Sequence, residues 1–162
     1  MKKMKHRISA LALLAITILS ASCVKQKLET TYNSQEDKID QYIEKNRIVS
    51  GDTLRVVYNE GAARLVTKEG EGPELTQNGN IAFYYAGYTF GGSISNSNLF
   101  VTNHEPSATA AGWTLTEDEA KALTINMNDY RLLPGLKSGL TGVKGGEECQ
   151  ILFTGKYGFG NK

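Results

Sequence analysis

Apolar and polar residues follow regular spacings through most of the chain after residue 33. Ile39, Tyr42 and Ile43 recur at the spacing of one helix face, and Ser34 followed by acidic residues is typical of a helix start. These signals predict an N-terminal helix within 34–50 that ends near Asn46. Its apolar stripe is narrow, which indicates packing against the side of a domain.

The next segments have the alternation of β-strands. Two short β-branched runs, Thr53–Tyr58 and Ala63–Thr67, flank the Asn-Glu-Gly-Ala sequence of Asn59–Ala62, which favours a hairpin turn. The alternation in 81–85 predicts a strand with one buried face. We expect this strand to lie at the centre of the sheet.

A longer insert is predicted from His104 to about Asn128. Thr116 and Glu119 have the spacing of a capping box, which predicts a short helix through Leu123. The Ala-rich part of the insert, Ala108–Gly112, is predicted to be irregular.

The last thirty residues combine a helix, a turn and a strand. Leu132-Leu133-Pro134-Gly135 leads into a short helix punctuated by glycine, and Lys144–Glu147 turns the chain. Cys149, Ile151 and Phe153 then alternate as in a strand. We therefore interpret Cys149 as a core residue rather than a reactive thiol.

The N-terminus has the pattern of a bacterial lipoprotein signal. A basic head precedes the apolar run Ile8–Leu19, which is shorter than the roughly 20 residues that a membrane-spanning helix needs. Small residues then lead directly to Cys23. We predict a signal peptide in 1–22, lipid attachment at Cys23 and a polar tether in 23–33; a buried thiol near a cut signal is the alternative for Cys23. A lipid anchor would hold the protein on a membrane of the bacterial cell envelope, with its domain in the periplasm or at the cell surface.

Charge and residue counts exclude several classes of function. Removal of 1–22 takes four of the 18 basic residues and none of the 17 acidic ones, which leaves a net charge of −3 and argues against nucleic acid as a partner. His104 is then the sole histidine, so a nucleophilic triad has few candidates. No spacing of metal ligands is present, and the glycines of 135–146 lack the Gly-Lys-Ser/Thr of a phosphate loop. We predict no metal and no cofactor.

Three separated pieces between Arg64 and Gly160 resemble the FKBP-type peptidyl-prolyl cis-trans isomerases. They are Arg64-Leu65-Val66 with Glu69-Gly70-Glu71-Gly72-Pro73, then Phe83-Tyr84-Tyr85-Ala86-Gly87, and last Leu132-Leu133-Pro134-Gly135 through Gly146-Glu147. The resemblance implies an α+β fold, with an FKBP-like antiparallel twisted sheet wrapped on a short helix in 51–162. The helix in 34–50 would be an addition. Members of the family continue through a further loop and a final strand. From the resemblance, we expect this final strand to be missing after Lys162.

The resemblance also implies a site that isomerises X-Pro bonds without a nucleophile, an acid or a metal. In its catalytic part, Tyr85 would border the pocket, Leu133 would offer a backbone N–H, and Phe159 takes the place of a tyrosine. In its substrate-binding part, Leu132 would form a wall, Leu136 the floor, and Phe100 matches the phenylalanine of a Phe-Asp pair. An ungapped count from Tyr85 places Ser95-Asn96 there instead of Phe100.

Three positions differ from the family pattern. Leu136 stands in place of a tryptophan, Val101 in place of the acid, and Phe159 lacks the phenolic hydroxyl.

The first hypothesis is a prolyl isomerase of the cell envelope that assists the folding of exported proteins, with proline-containing peptides or unfolded exported proteins as partners and a macrolide as a further ligand. The alternative is an FKBP-like peptide-binding or chaperone module with little or no isomerase activity. A third hypothesis is an envelope interaction protein whose insert, 105–128, makes the contact.

Overall fold

The structure is a computed structural model that describes residues 3–50 and 54–158, with side chains from residue 26 onward. Small antiparallel sheets and helices combine in an α+β fold, as predicted. The helices are α1 (Lys3–Val49), α2 (Glu105–Ala110), α3 (Pro134–Leu140) and α4 (Gly155–Gly158), with one 3₁₀ turn, Asn96–Asn98. The strands are β1 (Arg55–Asn59), β2 (Ala62–Lys68), β3 (Asn80–Phe83), β4 (Ala86–Tyr88), β5 (Leu99–Thr102), β6 (Leu123–Asn126) and β7 (Glu148–Phe153).

The predicted hairpin is confirmed as β1 and β2. Asn59 lies opposite Ala62, so only Glu60 and Gly61 form the connection. Both have positive φ angles, 40° and 82°, as a two-residue type I′ turn requires. Glycine at the second position adopts this conformation without steric cost.

The central strand of the largest sheet is β2, so the prediction of a central strand at 81–85 is wrong. The sheet has the order β1-β2-β7, and β2 is buried from Ala62 to Val66. The segment 81–85 contributes β3, which pairs with β6, while β4 pairs with β5. β3 ends at Phe83 because the next backbone groups bond to side chains: the Tyr85 N–H donates to Asn103 Oδ1 at 2.6 Å. Among the described residues, β7 has a strand partner on one side only.

The two faces of the three-stranded sheet are covered by different helices. Opposite residues of antiparallel strands point to the same face, so Leu65 and Gln150 share one face and Arg64 and Ile151 the other. The first face packs against the C-terminal part of α1, where Tyr42 donates a hydrogen bond to Gln150 Oε1 at 2.9 Å. Its buried cluster consists of Ile39, Ile43, Ala63, Leu65 and Leu152.

The second face packs against α3, and two glycines make this contact possible. A Cβ at Gly135 would clash with Phe153, and a Cβ at Gly139 would clash with Ile151. The predicted short helix and the Lys144–Glu147 turn are both confirmed. We call the apolar residues around this helix the α3 cluster: Met127, Leu140 and Val143, with Leu75, Ile81, Phe83, Ile125, Leu132, Leu136 and Ile151 packed against them.

The N-terminal helix is longer than predicted. α1 begins at Lys3, so Ser34 lies inside it and the predicted helix start there is wrong. The five consecutive residues 25–29, Lys-Gln-Lys-Leu-Glu, are good helix formers, which favours a helix that continues through this segment. The Thr30 hydroxyl donates to the Gln26 carbonyl at 2.9 Å, one turn earlier in the same helix. The predicted apolar stripe is confirmed, since Ile39 and Ile43 are buried.

Contacts divide the chain into two compact units, Met1–Ser34 and Gln35–Lys162. The side chains on which the signal-peptide prediction and lipidation of Cys23 depend lie outside the described residues. Among the residues that are described, no helix is long and apolar enough to cross a membrane.

The insert differs from its prediction in two places. α2 occupies part of the segment predicted to be irregular, since Pro106 suits a helix start and alanine favours the helix that follows. The capping pair does form, because the Thr116 N–H donates to Glu119 Oε2 at 2.8 Å. The helix predicted after it is wrong: the chain makes a turn and then pairs as β6, with Leu123 opposite Phe83. Pairing across the sheet overrides the local helix signal.

Candidate functional site

A buried ion pair fixes the end of α3. The Arg64 side chain is 3% exposed and that of Glu147 is fully buried, and Arg64 Nε lies 3.1 Å from Glu147 Oε1 without the alignment of a hydrogen bond. Arg64 Nη1 donates to the carbonyls of Gly139 and Thr141, both at 2.8 Å, and Nη2 donates to that of Gly142 at 3.3 Å. These carbonyls end α3, where a cation is favourable.

A second arginine extends this network to the surface. Arg55 Nη2 lies 3.4 Å from Glu147 Oε2, and the same guanidinium makes hydrogen bonds of 2.6 and 2.8 Å to the two carboxylate oxygens of Glu69. The hydrogen bond from Arg55 lowers the pKa of the exposed Glu69 carboxyl. The network therefore joins the β1–β2 hairpin to the turn before β7.

The turn before α3 positions Leu132 and Leu133. Asp129 accepts the Arg131 N–H at 2.9 Å and bonds the Arg131 guanidinium, which lowers the pKa of the Asp129 carboxyl to about 2. The Leu132 N–H donates to the Asp129 carbonyl at 3.2 Å. For the Leu133 N–H, no partner is found within the described part of the chain. This half-buried donor is therefore available to a carbonyl.

The predicted wall residues lie together. Leu132 and Leu136 both pack in the α3 cluster, and so does Phe83. The Phe83 and Tyr85 rings have centroids 5.8 Å apart at an interplanar angle of 54°. Phe83 therefore contacts Tyr85 and packs against the same buried cluster as Leu132 and Leu136. These four residues and Leu133 are called the prolyl wall below, after the ring that the resemblance predicts for the site.

Asn103 holds the backbone that carries Tyr85. Its side chain is buried, accepts the Tyr85 N–H, and donates to the carbonyls of Phe83 at 3.2 Å and Lys121 at 2.9 Å. Thr102 Oγ1 donates to the Tyr85 carbonyl at 2.7 Å. The sequence pattern does not single out Asn103, because an asparagine after a short strand is usually a turn residue.

Phe100 lies in a separate open cavity of about 470 Å³. Its side chain is 55% exposed, and the lining includes none of the residues of the prolyl wall. The lining residues are Phe100, Val101, Thr102, Trp113, Thr114, Leu115 and Glu119. Of the six predicted site residues, Leu132 and Leu136 pack against one cluster, Leu133 follows Leu132 in the chain, and Tyr85 contacts Phe83 of the same cluster. Phe100 is apart from them in this cavity, and Phe159 lies outside the described residues.

The described side chains include no group of three or more His, Cys, Asp or Glu residues arranged to hold a metal ion. Comparison with known proteins finds no protein-family model, no curated protein and no solved structure that matches this chain.

Cys149 is a half-buried thiol on the α3 face of the sheet. Burial and the nearby Glu147 carboxylate raise the pKa of the thiol to about 11. Because the thiolate is the nucleophile, Cys149 is unreactive at neutral pH, in accord with its interpretation as a core residue.

The raised pKa of Cys149 predicts both a loss of stability at alkaline pH and slow alkylation of the folded protein. The unfolded thiol titrates near 8.5, whereas the folded thiol stays protonated to about 11, so stability is lost as pH rises through this window. In a Cys23→Ser variant, Cys149 is the sole thiol, and we expect iodoacetamide to modify it far more slowly in the folded state than in urea at pH 8.5. Equal rates in the two states would contradict the raised pKa.

The buried ion pair predicts a large stability difference between matched variants. Arg64→Met removes the buried cation beside Glu147, so that only the half-exposed Arg55 remains near this carboxylate, and it removes the hydrogen bonds to the carbonyls that end α3. We expect a loss of about 3–5 kcal/mol in the free energy of unfolding. Lys68→Met removes a pair with Glu148 in which both side chains are exposed, and is expected to cost less than about 1 kcal/mol. Urea denaturation measures both values. Similar losses in the two variants would show that the Arg64 pair does not hold the fold.

Proposed function

We propose that the chain is an FKBP-type peptidyl-prolyl cis-trans isomerase that acts on proline-containing segments of exported proteins. The observation that carries this proposal is the prolyl wall. Leu132, Leu136 and Phe83 pack against one buried cluster, Phe83 contacts Tyr85, and the Leu133 N–H has no partner among the described residues. The set contains no histidine, cysteine, serine or carboxylate, and the chemistry proposed for it requires none.

We also propose that the sheets and α3 form an FKBP-like fold. In support, the three pieces that carry the resemblance fall on β2, on the break between β3 and β4, and on the start of α3. The short α3 also lies against one face of an antiparallel sheet, as the resemblance predicts.

Isomerisation at such a wall follows from the chemistry of the amide. Rotation about an X-Pro bond faces a barrier near 20 kcal/mol because the planar amide is stabilised by resonance, which the twisted form has lost. Apolar side chains remove water from the bond, and the twisted form is less dipolar and loses less by this transfer. The Leu133 N–H would hold a substrate carbonyl so that the ring rotates against a fixed point. A wall that fits the twisted form better than either planar form accelerates the reaction.

The alternative proposal, a peptide-binding module with little isomerase activity, is supported by two of the departures from the family pattern. Leu136 gives the site a smaller floor than a tryptophan would. Val101 lies on β5, where its side chain lines the open cavity and supplies no acid to the prolyl wall. Binding of a prolyl peptide without acceleration of its isomerisation would select this alternative.

We also propose that residues 1–22 are a lipoprotein signal and that Cys23 carries the lipid. The pattern of a basic head, a short apolar run and small residues before a cysteine supports this proposal. A lipid anchor would bring the isomerase to exported proteins as they fold in the cell envelope.

An isomerase should accelerate the cis/trans exchange of a prolyl bond in a short peptide. The full chain in non-ionic detergent micelles should accelerate cis/trans exchange in a short Ala-Leu-Pro-Phe peptide, measured by magnetisation exchange. Tyr85→Ala should lower the catalysed rate about tenfold, equivalent to about 1.4 kcal/mol. Tyr58→Ala is the matched control, because this tyrosine is 66% exposed on β1 and should leave the rate unchanged. A folded sample with no acceleration would exclude the enzyme.

A further prediction concerns lipidation. Bacterial cells that express the full chain should incorporate labelled palmitate into it, and Cys23→Ser should abolish the label because the acyl chains need this thiol. Cys149→Ser is the control and should keep the label. If the variant Cys23→Ser still incorporates palmitate, the proposed lipid attachment at Cys23 is wrong.

A further inference from the structure

Large apolar side chains are exposed together on β5 and on the loop that follows α2. Phe100 is 55% exposed, Trp113 41% and Val101 38%, and all three line the same open cavity with Leu115 and Glu119. We call these five residues the aromatic groove. Exposed large apolar side chains that cluster, rather than lie singly, mark interaction surfaces.

The backbone of the groove is held in place without a ligand. The Trp113 N–H donates to the Ala108 carbonyl at 2.8 Å, and the Gly112 N–H donates to the Thr109 carbonyl at 3.0 Å. With Gly112 at a φ of 77°, these bonds form a Schellman motif that ends α2 and places Trp113 directly after it. Asn96 Nδ2 also donates to the Ala110 carbonyl at 3.1 Å. A ligand would therefore pay little conformational entropy to order this backbone.

The groove carries one fixed negative charge. Glu119 Oε2 accepts the Thr116 N–H at 2.8 Å and the Thr116 hydroxyl at 2.9 Å, and these bonds lower the pKa of the Glu119 carboxyl. For Glu119 Oε1, no partner is found among the described residues. The neighbouring Asp118 is neutralised by Lys121 at 2.6 Å. The charge of the groove thus complements a cation.

We propose that the aromatic groove binds extended polypeptide segments in which a lysine or arginine lies next to a bulky apolar residue. The apolar side chain would pack on Phe100 and Val101. The cation would lie over the Trp113 ring and pair with Glu119 Oε1, as cations do with indole faces and carboxylates. This inference goes beyond the proposed isomerase and stands without it, because it needs neither a proline nor the prolyl wall.

Trp113 itself reports on binding, because it is the sole tryptophan of the chain. The full chain in dodecyl maltoside micelles would be titrated with acetyl-Ala-Leu-Arg-Ala-amide while tryptophan fluorescence is followed. A peptide with citrulline in place of arginine has nearly the same shape without the charge. We expect the arginine peptide to bind about tenfold more tightly than the citrulline peptide, and this preference to weaken in high salt.

Matched variants separate the two parts of the groove. Glu119→Gln should reduce the preference for arginine to less than about threefold, whereas Glu36→Gln, an exposed carboxylate on α1, should leave it unchanged. Phe100→Ala should weaken both peptides about tenfold, and Tyr130→Ala, which removes a ring that is 93% exposed elsewhere, should weaken neither. Circular dichroism checks that each variant is folded.

Four results would overturn the proposal: equal affinity for the two peptides, an arginine preference that survives Glu119→Gln in a folded sample, binding that is indifferent to Phe100→Ala, or a fluorescence change that follows self-association of the chain rather than added peptide. The outcome is independent of the isomerase assay. If isomerisation is observed but arginine is not preferred, the groove proposal is wrong and the isomerase proposal stands. If arginine-dependent binding is observed without isomerisation, the groove proposal stands and the isomerase proposal is wrong.

Discussion

The position of α3 depends on the buried pair of Arg64 and Glu147. Both charges are removed from water, which is costly unless each finds compensating partners. Arg64 meets this condition with one carboxylate and three carbonyls at the end of α3. Because Arg64 lies on the central strand and Glu147 lies just before β7, the same contacts fix the helix against the middle of the sheet.

The glycines of α3 and the side chain of Arg64 both stabilise the contact between α3 and the sheet. Gly139 has no side chain to separate the helix from Ile151, and its carbonyl accepts a hydrogen bond from Arg64. Close approach of the backbone brings this carbonyl within reach of a side chain that starts on β2. A larger residue at Gly139 would therefore weaken the packing and the ion-pair network together. It would also shift the start of the helix, where the Leu133 N–H lies.

The sequence predicts those parts of the fold that are determined by residues close together in the chain. Glu60 and Gly61 specify the hairpin turn, and Pro134 with the glycines after it specifies α3. Contacts between distant residues decided the rest. The 81–85 alternation does not reveal that Asn103 ends β3, and the capping box at Thr116 does not reveal that Leu123 pairs with Phe83. Arg64 within a β-branched run reads as a surface charge, because its partners lie more than seventy residues away.

The same limit applies to the candidate site. Leu132, Leu133, Leu136 and Tyr85 could be selected from the sequence because they belong to short motifs, yet the groove depends on Phe100 and Trp113, which share no motif. Thr102 connects the two surfaces, because it lines the same cavity as the groove residues and donates its hydroxyl to the Tyr85 carbonyl. A ligand that shifted Thr102 would disturb the backbone that carries Tyr85, since Thr102 and Asn103 together hold it. The hydrogen bonds of Thr102 and Asn103 therefore tie the strand that carries Phe100 and Val101 to the backbone that carries Tyr85, so a displacement of one would be felt by the other.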